Sequence, residues 1–407
     1  MIKKVFLSLA LFTSLSYGDE FDEGFEDESE ELVVVEVAQK AYYFIGNIEQ
    51  QANYATHNKT PHNNLNSFKS SLYLESEYNF NENHKFRVSA KAFYDFIYDI
   101  QSDRAYTQEE KDDMRYEAEV FDFYFQGKVT QSLDYKIGRQ VVVWGRSDTI
   151  RVTDILNPLD NRSPGIIDIE DLRLPVGMAK FDYYFDEWAV SAIVVGETRY
   201  SKNPSYGSDF YPFALRVPNV YTTNKPSYAL SLEGTFSGWD MSLYAAKSKA
   251  DEILSHDEFY MLGYAFNYIY ESWLFKSEGA YFDKYKLQNQ RDKTFSNILV
   301  GFEYNGINET VIAFDMSNKF LPDSKDITQS ALRVSSNFIN DTLKVNYLVS
   351  LYGKDFSEGG FQRVWFDYEF NDTVSSTLGY VDYIQGSPVF DVIKDNDMFF
   401  TSLKYSF

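Results

Sequence analysis

The chain lacks cysteine entirely, carries only four histidines and has few basic residues for its length. Without cysteine there can be no disulfide, no thiol nucleophile and no cysteine-ligated zinc or iron–sulfur site. No apolar run approaches the roughly 18 residues that a membrane-spanning helix needs. The formal net charge of −23 argues against nucleic acid as a partner, because phosphate binding requires a basic face.

Aromatic residues are abundant, with 33 Tyr and 35 Phe. Both residue types favour β-strands. In membrane β-barrels they also form girdles at the two lipid–water interfaces.

The amino terminus has the layout of a secretory signal peptide at residues 1–18. Lys3 and Lys4 precede the apolar segment Val5–Leu15, and Ser16-Tyr17-Gly18 supplies small residues for cleavage. We therefore predict export from the cytoplasm.

Residues 19–39 form an acidic segment, with nine carboxylates among the thirteen residues Asp19–Glu31. One interpretation is a solvated, self-repelling tail. The other is a periplasmic segment that docks on a partner or binds cations, with Phe21 and Phe25 as apolar anchors. In either case it lies outside a domain predicted at residues 40–407.

From about Lys40 onward, apolar and polar residues alternate with the two-residue period of a strand whose faces differ. One apolar face comprises Phe86, Val88, Ala90, Ala92, Tyr94, Phe96 and Tyr98. Very short connections alternate along the chain with long polar ones, as in barrels with short periplasmic turns and longer extracellular loops.

We predict an all-β, up-and-down antiparallel transmembrane barrel of about 18 strands, with a range of 16–20. A barrel of this width leaves an aqueous lumen. Its predicted location is the outer membrane of a Gram-negative bacterium, with membrane lipid around it.

The chain ends in an amphipathic strand on which Leu403, Tyr405 and Phe407 share one face. This end resembles the carboxy-terminal strand that outer-membrane barrels present to the barrel-assembly machinery. The plainer interpretation is an ordinary last strand.

The most distinctive segment lies at the end of the fifth predicted strand and in the third long loop, which runs from Gly145 to Val176. Its apolar residues, among them Ile150, Val152 and Leu156, predict that the loop folds into the lumen. Its arginines then need carboxylate partners. The candidate constriction residues are Arg139, Gln140, Trp144, Arg146, Asp148, Arg151, Asp154, Asn157, Pro158, Asp160 and Arg162. These residues either fix the loop to the barrel wall, narrow the pore, or do both.

This segment reads GRQ-x3-WG-x2-D, followed by D-x2-NP-x-D, over about Gly138–Asp160. It resembles a family of proteobacterial outer-membrane barrels known only as a domain of unknown function, and more distantly alginate-export-type barrels and porins. Members are often encoded near MMPL/RND-type transporters, so the resemblance implies export or trafficking of lipids or other hydrophobic molecules.

Strand parity predicts which charged residues face the lumen. The main candidates are Arg87, Lys91, Asp95, Lys136, Arg333, Arg363 and Asp367. Strict alternation from Leu133 points Arg139 at lipid, so we expect a β-bulge at Gly138 that turns it inward.

An enzyme is not predicted. His57, His62, His84 and His256 lack a recognisable nucleophile nearby, and His57 with His62 is a weak metal-binding pattern. No cofactor or metal is expected, and no plug domain precedes the barrel.

Three functions remain open. The leading one is a transport channel for small or hydrophobic, lipid-like molecules, with the third loop as its constriction. The second is a diffusion porin for small polar solutes. The third is a surface-structural or adhesive barrel.

Overall fold

The chain forms a closed barrel of 18 antiparallel strands, described by a computed structural model. The structure describes residues 41–57, 64–101, 106–213, 215–217, 225–252, 255–286, 293–322 and 324–407. The predicted signal peptide and acidic segment lie outside these residues. The fold class predicted from the sequence, including the strand count, is confirmed.

Each strand pairs with its neighbours in chain order, and β1 pairs with β18 to close the ring. The strands are β1 Tyr42–Ala55, β2 Leu65–Asn81, β3 His84–Asp95, β4 Tyr116–Thr130, β5 Leu133–Gln140, β6 Val176–Phe185, β7 Trp188–Val195, β8 Ser227–Phe236, β9 Trp239–Lys249, β10 Glu258–Tyr270, β11 Trp273–Tyr285, β12 Lys293–Ile307, β13 Thr310–Phe320, β14 Ile327–Phe338, β15 Leu343–Tyr352, β16 Gly360–Glu369, β17 Val374–Ile384 and β18 Met398–Ser406.

Four short helices lie in the long connections: α1 Ile97–Ile100, α2 Gln108–Met114, α3 Ile169–Leu172 and α4 Pro388–Ile393. None of the helices in the described ranges is long and apolar enough to cross a lipid bilayer. All of the long connections leave the same end of the barrel, which we call the long-loop end, and the opposite end is the short-turn end.

The outer face of the barrel is apolar, with aromatic residues near both ends. Aliphatic residues such as Ile48, Leu72, Leu262 and Leu378 are exposed on the outer face of their strands. Exposed aromatic residues near the short-turn end include Tyr78, Phe80, Tyr183, Tyr268, Tyr270, Phe370 and Tyr405, and those near the long-loop end include Tyr54, Tyr116, Tyr228, Tyr260, Tyr281, Phe320 and Phe399. Two aromatic girdles around an aliphatic belt are typical of a barrel in a bilayer.

The last residue closes the ring beside the first strand. The Phe407 backbone exchanges two hydrogen bonds of 2.9 Å with the backbone of Gly46. Leu403, Tyr405 and Phe407 are all exposed on the outer face. Recognition of this end by an assembly machinery stays a prediction.

The third strand is shorter than its alternating pattern indicates. It ends at Asp95, so Tyr98 lies in α1 and not on the apolar face of β3. The Asp95 carboxylate accepts hydrogen bonds from the backbone N–H groups of Phe68 at 2.9 Å and Ile97 at 3.0 Å. These bonds turn the chain into the helix, an effect that alternation cannot reveal.

The β-bulge expected at Gly138 is also absent, because β5 keeps its register with both β4 and β6 through this residue. Gly138 instead adopts φ +131°, a conformation that L side chains rarely adopt. The Arg139 guanidinium nevertheless reaches the carboxylates of Glu119 at 3.7 Å and Glu197 at 3.2 Å.

We predict that Gly138→Ala destabilises the barrel by about 1–3 kcal/mol, the usual cost of a sparsely populated backbone conformation. A Cβ at Gly138 would also lie 2.1 Å from the carbonyl oxygen of Phe123. The matched control is Gly196→Ala, where the nearest atom to a Cβ is 3.9 Å away. The measurement is the temperature at which each variant loses the gel mobility of the folded barrel; equal temperatures would contradict the prediction.

Candidate functional site in the barrel lumen

One side of the lumen holds an open cavity of about 790 Å³. Its wall is formed by the inner faces of β1–β4 and β16–β18, and the third loop, residues 141–175, borders it from within the barrel. Residues of the second loop (96–115) and the fourth loop (196–226) complete the lining. The cavity therefore lies between a strand wall and loops.

The other side of the lumen is filled by apolar side chains of the third loop. Trp144, Ile150, Val152 and Leu156 are buried in one cluster with inner-face residues of β6–β14. Their wall partners include Val176, Met178, Ile193, Ala229, Ala246, Phe259, Met261, Ala265, Phe282 and Leu299. Trp144 stacks on Tyr244 with ring centroids 4.6 Å apart. Full burial contributes about 1.5–3 kcal/mol for each large apolar side chain, so this cluster holds the loop against the wall.

A buried carboxylate on β11 fixes the start of the loop. Glu278 is 1% exposed and accepts hydrogen bonds from the backbone N–H groups of Arg146 at 2.6 Å and Ser147 at 2.8 Å, and from the hydroxyl of Thr153 at 3.0 Å. Gly145 lies directly against it, at φ +91°, and a Cβ there would be 2.7 Å from a Glu278 oxygen. The close approach therefore requires glycine.

A second wall carboxylate, Asp315 on β13, binds the next turn of the loop. It accepts hydrogen bonds of 2.7 Å from the hydroxyls of Ser147 and Thr149. On β9, Asp240 lies 2.8 Å from the Arg146 guanidinium. Three strands thus hold one short stretch of loop.

Within the loop, Asp154 is the central acceptor. Its carboxylate lies 2.8 Å from Arg173 and 3.2 Å from Arg151, and its side chain is 3% exposed. Asp148 differs sharply, because its side chain is 64% exposed and, among the described residues, pairs with Lys276 alone, at 3.4 Å. Two carboxylates of the same motif therefore have unlike environments.

Uncharged motif residues join the two ends of the loop. The Asn157 carboxamide accepts from the Val142 N–H at 2.8 Å and donates to the Leu174 carbonyl at 2.8 Å. The Pro158 carbonyl accepts from the Leu174 N–H at 2.7 Å. Gln140 is fully buried and donates to the Lys136 carbonyl at 3.0 Å. Asn157 and Pro158 of the motif therefore hold the first and last residues of the third loop together.

Farther along, the loop reaches the opposite wall. Asp168, at the start of α3, pairs with Arg333 of β14 at 3.0 Å and with Arg363 of β16. The Arg363 guanidinium also lies 3.8 Å from the ring centroid of Trp365. The loop is therefore bound to strands on both sides of the lumen.

The third and fourth loops share an ionic network at β4. Glu117 accepts from Arg162 of the third loop at 2.9 Å and from Lys202 of the fourth loop at 2.5 Å. Glu119 lies 2.7 Å from Arg199 and 3.0 Å from Lys202. A fourth loop held this way was not expected from the sequence.

Asp160 completes the network through Arg162, 2.5 Å away. Burial alone would raise the pKa of Asp160, but the hydrogen bonds and charge of Arg162 outweigh it and leave that pKa below its usual value. The pair therefore stays ionised where it borders the cavity.

Lysines on the cavity wall pack on rings instead of carboxylates. Lys91 lies 3.7 Å from the ring centroid of Phe121, and Lys69 lies 5.4 Å from that of Phe93. Lys404 lines the same cavity. Within the described ranges, none of these three lysines forms an ion pair.

The loop presents the carboxylate of Asp171 toward these lysines. Burial raises the pKa of Asp171, which feels the opposite charges of Lys91 and Lys404 across the cavity. Burial, with the nearby charge of Asp171, also raises the pKa of Glu170. Unlike charges thus face each other without forming an ion pair.

The other predicted lumenal charges lie on the inner face of their strands. Arg87 pairs with Glu75 at 2.6 Å, and Lys136 lies 4.0 Å from the ring centroid of Tyr124. Asp367 accepts from the Thr377 hydroxyl at 2.7 Å and lines the cavity.

The histidines are dispersed. His57 lies 3.6 Å from Asp397, His84 lies 3.1 Å from the Tyr135 hydroxyl, and His256 stacks on Tyr200. His62 is outside the described residues. Among all residues that the structure describes, no group of three or more His, Asp or Glu side chains could hold a metal ion.

The sequence interpretation missed the role of the wall carboxylates. The sequence analysis does not single out any of the carboxylates that bind the loop, which are Glu278, Asp240, Asp315, Glu117 and Glu119. Strand parity does carry a signal, since Asp315 alternates with outer-face residues. It cannot say which loop residue each carboxylate binds.

A family described as protein of unknown function, DUF1302, matches residues 8–302, well over half of the chain. The chain belongs to this family. No curated protein matches the DUF1302 chain.

Solved structures share the barrel of this DUF1302 member. Acinetobacter baumannii OccAB3 is 12% identical, with a TM-score of 0.58 over 90% of this chain and 99% of that chain. Pseudomonas aeruginosa OpdK, solved with vanillate, is 10% identical, with a TM-score of 0.57 over 89% of this chain and 98% of that chain. At identities this low, the structural similarity establishes a shared fold, that of outer-membrane barrels.

We predict that Asp154→Ala loosens the third loop, because removing one partner of a buried pair costs about 3–5 kcal/mol. Asp148→Ala is the matched control, since the Asp148 carboxylate is 64% exposed and Lys276 keeps Glu303 as a partner at 3.3 Å. The measurement is the rate of proteolysis within residues 141–175 of the folded barrel. We expect much faster cleavage for Asp154→Ala only; equal rates would show that Asp154 does not hold the loop.

Proposed function

We propose that the protein is an outer-membrane channel for small polar solutes, and that the third loop narrows its lumen. The observation that carries this proposal is the cavity of about 790 Å³, bordered by Lys69, Lys91, Lys404 and Asp171, which form no ion pair with any described residue. Its size falls within the roughly 300–1,000 Å³ typical of small-molecule sites.

The charges that face the cavity support a polar solute. Lys69, Lys91 and Lys404 carry no carboxylate partner among the described residues, and Asp171 faces them from the loop. A solute with both positive and negative groups can bind both sides in place of water. Such a path favours polar and dipolar molecules.

A hydrophobic cargo, implied by the family resemblance, has less support in the lumen. The apolar inner-face residues of β6–β14 are covered by Trp144, Ile150, Val152 and Leu156 of the loop. The apolar wall of β6–β14 is therefore closed to a lipid-like molecule. The similar barrel OpdK was solved with vanillate, which favours a small solute here as well.

The main test is conductance of the purified full chain in planar bilayers. We expect stable steps for the natural protein. We expect larger conductance steps for Asp168→Asn, because this change weakens the ion pairs with Arg333 and Arg363 and so frees part of the third loop. Asp372→Asn, at an exposed short turn, serves as the charge-matched control and should leave conductance unchanged.

Other outcomes would change the proposal. A protein that is silent until residues 146–172 are deleted would indicate a gated exporter. Silence of both forms would contradict a channel and favour a surface-structural or adhesive barrel.

A further inference from the structure

We propose that part of the fourth loop is a lid over the long-loop mouth of the cavity. The lid comprises residues 204–213, which we call the tip, and it moves on residues 198–203, which we call the stem. Movement of the tip admits a solute from the long-loop side while the third loop stays in place. The proposal rests on the proposed channel function and adds the step that controls entry.

The fourth loop reaches from one side of the cavity wall to the other. That wall runs from β16 through β18 and β1 to β4. The stem contacts Glu117 and Glu119 at the start of β4, and the tip contacts Tyr383 at the end of β17. Both places lie near the long-loop end of their strands. Residues 208–210 of the tip line the cavity, so the tip lies across its mouth.

The stem is fixed by charge and by backbone hydrogen bonds. The ammonium of Lys202 lies 2.5 and 3.0 Å from carboxylates of β4. Its backbone N–H donates to the carbonyl of Leu159 at 2.9 Å, and its carbonyl accepts from the N–H of Asn161 at 2.7 Å. In the fifth loop, residues 250–257, the Asp251 carboxylate accepts from the N–H and the hydroxyl of Ser201 at 2.9 and 2.5 Å. The stem is therefore tied to the third loop, to the barrel wall and to the fifth loop.

The backbone of the tip forms a separate unit. Pro204, at its start, has no N–H with which to extend the backbone hydrogen bonds of the stem. Two bonds then close within the tip, from the Ser208 N–H to the Ser205 carbonyl at 3.0 Å and from the Tyr211 N–H to the Ser208 carbonyl at 3.1 Å. Gly207, at φ +101°, supports the first of these turns. Because these bonds are internal, the tip can move without breaking them.

Single contacts hold the tip to its surroundings. The Ser205 hydroxyl donates to the carboxylate of Asp113 in α2 at 2.6 Å. The Asn396 carboxamide donates to the backbone carbonyl of Asp209 at 2.7 Å. The half-buried ring of Phe210 packs on apolar residues of β16–β18 and α4. Segments with few buried contacts open locally before the rest of a protein does. We therefore expect the tip to open while the stem stays bound.

Opening of the tip gives access to the charges that the proposed function uses. The tip lines the same cavity as Lys69, Lys91 and Asp171. A solute from the long-loop side reaches these charges once the tip has moved. Loops that open and close over a site on a fixed hinge commonly control the entry and release of small molecules.

The experiment locks the tip reversibly in the full chain, which has no cysteine of its own. In the double variant Ser205→Cys/Asp113→Cys, a short bis-thiosulfonate reagent joins the tip to α2 in detergent, before reconstitution. Entry of glutamine is then measured by the swelling of proteoliposomes. We expect the cross-link to remove most of the glutamine entry and a reductant to restore it, because the tip cannot open while it is joined to α2.

The matched control is Ser201→Cys/Asp251→Cys, which joins the stem to the fifth loop at a hydrogen bond of the same kind. Its cross-link should leave glutamine entry unchanged, because the stem does not move. Both double variants should keep the gel mobility of the folded barrel. Loss of entry in both cross-linked proteins, or in neither, would overturn the lid.

A second measurement keeps the lid separate from the channel. A natural chain that admits no glutamine would contradict the proposed channel function. Hydrogen exchange of the natural chain then tests the lid directly, because the amide groups of residues 205–213 should exchange much faster than those of residues 199–203. Equally slow exchange in the two segments would overturn the lid whatever the solute measurements show.

Discussion

A strand in hydrocarbon can satisfy its backbone N–H and C=O groups only through neighbouring strands, so a sheet in a bilayer must close on itself. Here the closure is made by β1 and β18, paired from Asn47–Ser406 to Ala55–Met398. Once the sheet is closed, each strand has one face toward lipid and one toward the lumen. The apolar outer belt and the charged inner wall are both consequences of this condition.

The closed wall would enclose a wide lumen if nothing filled it. The third loop fills one side of the lumen through its apolar cluster. It is fixed there by Glu278, whose carboxylate accepts three loop donors at 3.0 Å or less. Desolvation of a carboxylate is costly unless such donors replace water. Apolar burial and buried hydrogen bonds therefore act together, and the open cavity is the space that the loop leaves.

The barrel could be predicted from sequence because alternation, turn length and strand count are local patterns. Two predictions were wrong for local reasons as well. The third strand ends early because the Asp95 carboxylate binds backbone N–H groups, and the bulge expected at Gly138 is absent because its backbone conformation leaves the register unchanged. The loop contacts could not be predicted in this way. Arg146 and Glu278 are 132 residues apart in the chain, and only the closed ring brings them together. The ionic network with Lys202 depends likewise on two loops meeting at β4.

Because the chain has no cysteine, single cysteines can report where water and ions pass. Lys91→Cys places a thiol in the open cavity, and Met261→Cys places one beneath the apolar loop cluster. The account predicts that a charged, membrane-impermeant thiol reagent reacts rapidly with Lys91→Cys and lowers its conductance, while Met261→Cys stays unmodified. Rapid reaction at Met261→Cys with no effect at Lys91→Cys would contradict it.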